Sequence, residues 1–351
     1  MTNKGGQMDK IRMAIVGCGF ISDIHKHAFE QLRDKIEVVA AVDADIEKAK
    51  KLAEMVGCGI ATTDYREIIN QTDSALLALP HHLHHPIGMD FLNHGVHVLM
   101  EKPLALDEKE CRDLIGASER NGAKLMVAYI MRYHPQIQEL KRIIDDRRYG
   151  ECFQLSIWTE QYTFLPEGSW MRNAKKLGGG QLFSHGCHYI DLMFWMMGKP
   201  VRGAHLGTNL CTPWMEMEGT SNVILEFEKG RLGYHFGTWG AKGTRHSYAA
   251  HAFFEDGMVE CALNEGKMYL HKSTNPGNYA EKSDVEELIF TCEPSSHLPK
   301  YELEYFADCI LNGVKPKPDG EDALKSQLAI WEMYKAEHEN RMADLRGFSY
   351  E

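Results

Sequence analysis

The chain has 351 residues, 44% hydrophobic and 25% charged, with a formal net charge of −11. A chain of this size hides roughly 75% of its unfolded surface and divides into about two domains, so neither disulfides nor a structural metal is needed for stability. The acidic balance argues against a nucleic-acid binder, and no apolar run approaches the ~20 residues of a membrane-spanning helix.

The N-terminal stretch MTNKGGQMDK has no signal-peptide hydrophobic core. Nine cysteines, an odd number without a Cys-x-x-Cys pair, read as reduced thiols, and a cytoplasmic location is expected. Histidine is the one surplus: of 18, six lie between His81 and His97.

Along the first third, short apolar runs at Ile11–Val16, Val38–Val42, Ala75–Leu79, Val96–Met100 and Leu125–Val127 read as strands buried on both faces, hence a parallel sheet. Helical patterns alternate with them at Ile46–Met55, Pro86–Asn93 and Asp107–Asn121. The last carries a capping signal, Asp107 with Glu110, and stops at Asn121-Gly122. Beyond Ala128 the texture changes. One more helix is expected over Arg132–Arg147, and alternating runs follow at Cys152–Thr159, Asn222–Glu228, Arg231–Thr238 and Ala250–Phe254. Turns at Lys229-Gly230 and Asp256-Gly257 join some of these as hairpins. Helices are predicted at Gln181–Met197, near Lys300–Leu311 and at Glu321–Glu339. The reading is α/β followed by α+β. Residues 1–128 form a doubly wound dinucleotide-binding domain. Residues 129–351 form a substrate-binding and oligomerisation domain with a large antiparallel sheet, whose terminal helices can pack back on the first.

The first strand runs into Gly17-Cys18-Gly19-Phe20-Ile21-Ser22. Gly17 suits the tight turn, and Gly19 lets backbone approach a pyrophosphate at a helix N-terminus. Gly17, Gly19, Phe20 and Ile21 are therefore the cofactor residues of this loop. Ser22, in the third position of the pattern, is small enough for close helix–strand packing. Asp43, at the tip of the second strand, suits the adenosine ribose hydroxyls and would repel a 2′-phosphate, so NAD is preferred over NADP.

The fifth strand leaves the sheet as His97-Val98-Leu99-Met100-Glu101-Lys102-Pro103. Here the chain resembles the Gfo/Idh/MocA family of oxidoreductases, named for glucose–fructose oxidoreductase and inositol dehydrogenase. The resemblance runs through the glycine loop, Leu79-Pro80-His81-x-x-His84, Glu101-Lys102-Pro103, Gly178-Gly179-Gly180, Gly186-x-His188-x-x-Asp191 and Tyr301-x-Leu303-Glu304-x-Phe306. It implies a Rossmann domain with a substrate domain, NAD as cofactor, and Leu79, Pro80, His84, Glu101 and Arg132 near that cofactor. On physical grounds, a lysine at the carboxyl end of a buried strand can face a substrate oxygen, stabilise developing negative charge and relay a proton. Lys102 is thus expected to be catalytic. His188 suits a general base, and Asp191, three residues on, shares its helical face and is expected to orient it or touch substrate.

Many family members carry an aspartate four residues before this histidine. Here Ser184 stands there, and the adjacent His185 is expected to share the proton work. Ser184-His185-Gly186 also resembles the Thr-His-Gly of NAD-dependent glycosidases in the family. That raises a redox-neutral alternative, acting through a transient 3-keto sugar. Trp170 offers a flat face for a sugar ring and Arg172 a donor, with Tyr162 expected in the same cleft. The run His81–His85 lacks acidic or cysteine partners at ligand spacing, so no metal is assigned. The expected activity is NAD-dependent oxidation of a secondary hydroxyl of a sugar, glycoside or cyclitol, at C3 by the resemblance alone, in a homo-oligomer. A catalytically silent NAD-binding regulator is the third reading.

Overall fold

The computed structural model describes residues 10–274 and 283–350. The N-terminal stretch on which the signal-peptide expectation rests lies outside them, apart from Lys10. Two compact units emerge: one runs to Ile130 and takes in Leu298–Leu324, and the other covers Met131–His297 and the chain from Lys325.

In the first unit, strands β1 (Ile11–Val16), β2 (Ile36–Val42), β3 (Ile60–Thr62), β4 (Ser74–Leu77), β5 (His97–Glu101) and β6 (Leu125–Ala128) alternate with four helices. These are α1 (Phe20–Gln31), α2 (Ile46–Val56), α3 (His84–Asn93) and α4 (Glu108–Asn121). The sheet is wholly parallel, in the order β3-β2-β1-β4-β5-β6, the dinucleotide-binding arrangement. Strands β1, β4 and β6 are buried along nearly their whole length, which is why they read as apolar runs. Asp45 caps α2 by accepting the Glu47 amide at 3.1 Å, which leaves Asp43 out of the capping. Asp107 accepts the Glu110 amide at 2.8 Å while Glu110 reaches back to the Leu106 amide at 3.1 Å, a reciprocal cap.

The second unit opens with α5 (Pro135–Asp145) and holds β7 (Cys152–Glu160), α6 (Ala174–Leu177), α7 (Cys187–Met197), β8 (Pro200–Thr208), β9 (Thr220–Phe227) and β10 (Leu232–Thr238). It continues through β11 (Tyr248–Phe254), β12 (Gly257–Ala262), β13 (Lys267–Lys272) and β14 (Val285–Thr291). Helices α8 (Pro299–Leu311) and α9 (Gly320–His338) and the two-residue β15 (Ala343–Asp344) close the chain. The helix expected over Arg132–Arg147 starts only at Pro135: a short 3-10 turn precedes it, because proline keeps the residue before it, His134, extended. Nine strands form one sheet, β14-β13-β12-β11-β7-β10-β9-β8-β15. It is antiparallel except where β10 lies parallel to β7. Helix α7 packs on one face, over β7 and β10. On the other face Leu206, Ile224 and Leu232 are 70%, 53% and 49% exposed. Among the described residues no helix is long and apolar enough to cross a membrane, and all nine cysteines are free thiols.

Candidate active site

Because the first sheet is parallel, the segments that leave β1, β2, β4 and β5 gather along one edge of it. Gly17 has φ +93°, and a side chain there would collide with the Ala78 carbonyl just beyond β4, so only glycine fits this turn. Ser22 is fully buried and donates its hydroxyl to the Gly17 carbonyl, which explains a serine in the third position of the glycine pattern. At Gly19 the space where a Cβ would stand is open, and among the described residues no side chain caps helix α1. The first-turn amides of a helix need an acceptor, and an open approach at its N-terminus suits a pyrophosphate. Phe20, the first helical residue, is 79% exposed, with Ile21 half-buried behind it.

Asp43 accepts the Cys18 amide at 2.8 Å through one oxygen and the Asp45 amide at 2.9 Å through the other. The carboxylate therefore pins the glycine loop to the tip of β2. The Cys18 thiol is pushed up to about 12, by burial first and then by the Asp43 charge, so it is an inert thiol. These residues fit the cofactor the sequence implied.

Beyond β4, Leu79 and Pro80 lead to His84, which is fully buried. Its two ring nitrogens face the carbonyls of Pro103, at 2.8 Å, and Leu79, at 2.9 Å. Burial lowers its pKa against the pull of those carbonyls. His84 thus ties the loop after β4 to the turn after β5, a structural part beside the cofactor part expected of it. Glu101 ends β5: one oxygen lies 3.3 Å from His25 Nε2, and the other accepts the Lys102 amide at 3.3 Å. Burial would raise this carboxyl, but His25, Lys102 and His84 together hold it below its ordinary value. Lys102 follows at once, half-buried, joined to Pro103 by a cis peptide. Beneath Glu101 lies Glu302 of α8. It is fully buried, and neither of its oxygens meets a hydrogen-bond partner among the described residues. Burial, and then the Glu101 charge, raises its pKa well above the ordinary range.

In the second unit the helix expected at Gln181–Met197 is not uniform. Leu182–Gly186 is wound as a π-helix, and α7 begins at Cys187. Such wide turns are rare and concentrate at functional sites. The preceding glycines leave room for the groups that hold it. A Cβ on Gly180 would collide with Glu218. Glu218 Oε1 accepts the Tyr334 hydroxyl at 2.6 Å and the Leu182 amide at 3.2 Å. Tyr334 Oη in turn accepts the Gly180 and Phe183 amides, each at 3.2 Å. Glu218 and Tyr334 thus hold the start of the wide turn. Burial, ahead of the opposing hydrogen bonds, pushes the Glu218 carboxyl up to about 7.

This turn presents Ser184, His185 and, one turn on, His188. Ser184 is buried. His185 Nδ1 accepts from the Gln181 side chain at 3.3 Å, and its Nε2 lies 3.3 Å from the Tyr248 hydroxyl. His188 is 4% exposed, its ring 6.1 Å from that of His185 and set edge-on to it. The two histidines are therefore neighbours.

Asp191 sits in a buried ion pair. Its oxygens take a two-pronged ion pair from Arg132 Nε and Nη2, both at 2.7 Å, and the Tyr350 hydroxyl at 2.6 Å. The Arg132 guanidinium also lies 4.9 Å from the Tyr350 ring centre and 5.5 Å from that of Trp195. Arg132, expected at the cofactor, and Asp191, expected at the substrate or at His188, are thus buried partners of each other. Trp170 packs against the cluster of Leu165, Leu177, Met215 and Trp239, and Arg172 Nε donates to the Trp214 carbonyl at 2.9 Å. Both hold a loop together. Tyr162 is 48% exposed, its ring edge-on to Trp214 at 6.1 Å. Glu218, Tyr334, Tyr248, Glu302 and His25 escaped the sequence reading, since no spacing or motif marks them and each acts through a partner far along the chain.

Comparison with known proteins agrees with this architecture. Residues 11–129 match the model of an oxidoreductase family with an NAD-binding Rossmann fold, and residues 137–260 match the GFO/IDH/MocA C-terminal domain. The D-apiose dehydrogenase of Paraburkholderia graminis is 23% identical over 349 residues, 97% of this chain and 92% of that one. The D-glucoside 3-dehydrogenase of Escherichia coli is 24% identical over 192 residues, 54% of this chain and 55% of that one. The chain spans about half the length of many of the curated relatives it matches, including the first two. A levoglucosan dehydrogenase solved with NADH superposes with a TM-score of 0.84 at 19% identity, covering 96% of this chain and 99% of that one. At that identity the likeness is one of fold.

Proposed function

The chain belongs to the Gfo/Idh/MocA oxidoreductases, with an NAD-binding Rossmann domain, and from that premise we propose that it oxidises a secondary hydroxyl of a sugar, glycoside or cyclitol. The observation that carries the reading is the placement of Lys102: it leaves β5 on the same sheet edge as the open Gly19 backbone and Asp43. The relatives named as sugar dehydrogenases favour a polyol substrate, and C3 of a pyranose is the preferred position. Bound NAD supplies the hydride acceptor. Asp43 holds the ribose hydroxyls, and the amides of Gly19, Phe20 and Ile21 take the pyrophosphate charge. Lys102 polarises the substrate hydroxyl and stabilises the charge that develops on its oxygen. His188 takes the hydroxyl proton, with His185, held by Gln181 and Tyr248, as its neighbour and relay.

The test is incubation of the protein with NAD and a panel of glycosides, aldoses and inositols, following the absorbance of reduced nicotinamide. Turnover should appear with at least one polyol, and Lys102→Ala and His188→Asn should each lower kcat by about 10²–10⁴-fold. No turnover in either direction with any member of the panel overturns the proposal. Release of an aglycone without accumulation of reduced nicotinamide transfers it to the redox-neutral glycosidase reading, which the resemblance of Ser184-His185-Gly186 to Thr-His-Gly raises.

A further inference from the structure

The face of the nine-stranded sheet turned away from α7 carries a group of nitrogen and oxygen donors unrelated to the residues above. His251 on β11 and Glu260 on β12 are direct cross-strand partners, so their side chains emerge on the same face. His246, from the segment that enters β11, joins them. One donor atom from each of the three lies within 4.8 Å of the others. We propose that His246, His251 and Glu260 form a mononuclear site for a borderline divalent cation such as zinc, nickel or cobalt, with the remaining coordination position open to solvent.

Three observations support it. Two imidazoles and one carboxylate are the donor set such cations accept, whereas magnesium and calcium take oxygen ligands. His251 Nε2 is shielded from solvent and has no hydrogen-bond partner among the described residues, an uncommon state for a ring nitrogen. The surroundings are those of a supported site. Glu260 Oε2 lies 2.9 Å from His271 Nε2, and His271 Nδ1 is 3.8 Å from Glu286, so the ligand carboxylate is oriented from behind. The Trp158 ring, 4.7 Å from the His251 ring and 6.1 Å from that of His246, supplies an apolar wall.

The experiment is titration of the full chain, stripped with chelator, with Zn²⁺ or Co²⁺ alone, read by calorimetry, by the cobalt visible spectrum and by the shift in Tm. One ion should bind per chain, with a cobalt band of low-coordinate nitrogen–oxygen ligation and a raised Tm. His246→Ala, on an exposed residue, and Glu260→Gln should each abolish that band, and His271→Gln should weaken binding about 10-fold or more. His82→Gln with His85→Gln should leave it unchanged. The proposal is overturned by the absence of saturable binding, by binding undiminished in His246→Ala and Glu260→Gln, or by binding lost only in the His82 and His85 variant.

Discussion

Glu302 shows what a single buried group demands of its neighbours. Two carboxyls that feel each other's charge in a medium of low dielectric do not both ionise. Glu101 has His25, Lys102 and His84 to hold it charged, so Glu302 carries the proton. Its native pKa is raised above the ordinary 4.5. The favourable neutral form is therefore fully present below that ordinary value, and stability drains away as pH rises toward the native pKa. Glu302→Gln keeps the shape and discards the titration. Its Tm should rise relative to the parent as pH climbs above 4.5, and parallel Tm curves for the two proteins would refute the assignment. The same scale shows what the sequence could tell. Gly17, Gly19, Asp43 and Lys102 were legible because their roles depend on position next to a strand end. The Arg132–Asp191 pair was not, since the two residues lie 59 positions apart and each alone has several equally good uses.

At the scale of elements, five strands of the first sheet were legible because burial on both faces leaves mostly apolar runs, while the three-residue, half-buried β3 was not. Most of the second sheet was harder, its strands being half polar. Strands β8, β13 and β14 and the parallel seam between β7 and β10 carry no local signal. The wide turn at Leu182–Gly186 was invisible for another reason: its sequence is an ordinary helix, and Tyr334, about 150 residues away, helps to open it. Tyr334→Phe removes an acceptor from two backbone amides and a donor from Glu218. Stability should fall by about 1–3 kcal/mol, measured by urea unfolding, and the pH dependence that Glu218 imparts near 7 should shift upward as that carboxylate loses its donor. An unchanged midpoint would show that the turn needs no such support.

For the whole molecule, the texture change near Ala128 stands close to the division after Ile130. Leu298–Leu324 clusters with the first unit; the sequence allowed terminal helices to pack there, but a helix's amphipathic stripe does not itself name its partner. Homo-oligomerisation is proposed through the open face of the large sheet, where Leu206, Ile224 and Leu232 are exposed at diagonal positions on neighbouring strands, a patch of the kind that marks contact surfaces. Light scattering on the eluting protein should give a dimer or larger assembly, and Ile224→Asp should move it toward the monomer. A monomeric parent protein would remove the proposal.

The order of that sheet also decides how it can grow. One border is β15, only two residues long, and the other is β14, whose Glu286 and Glu287 are exposed and follow Asp284. A stub and a row of carboxylates are poor templates for a further strand, since an incoming backbone would find too few amides or too much like charge. Sideways addition of copies, the route to fibres, is thereby discouraged at both borders. Any assembly of this chain through the sheet is steered into stacking on its surface, and stacking of that kind closes on itself.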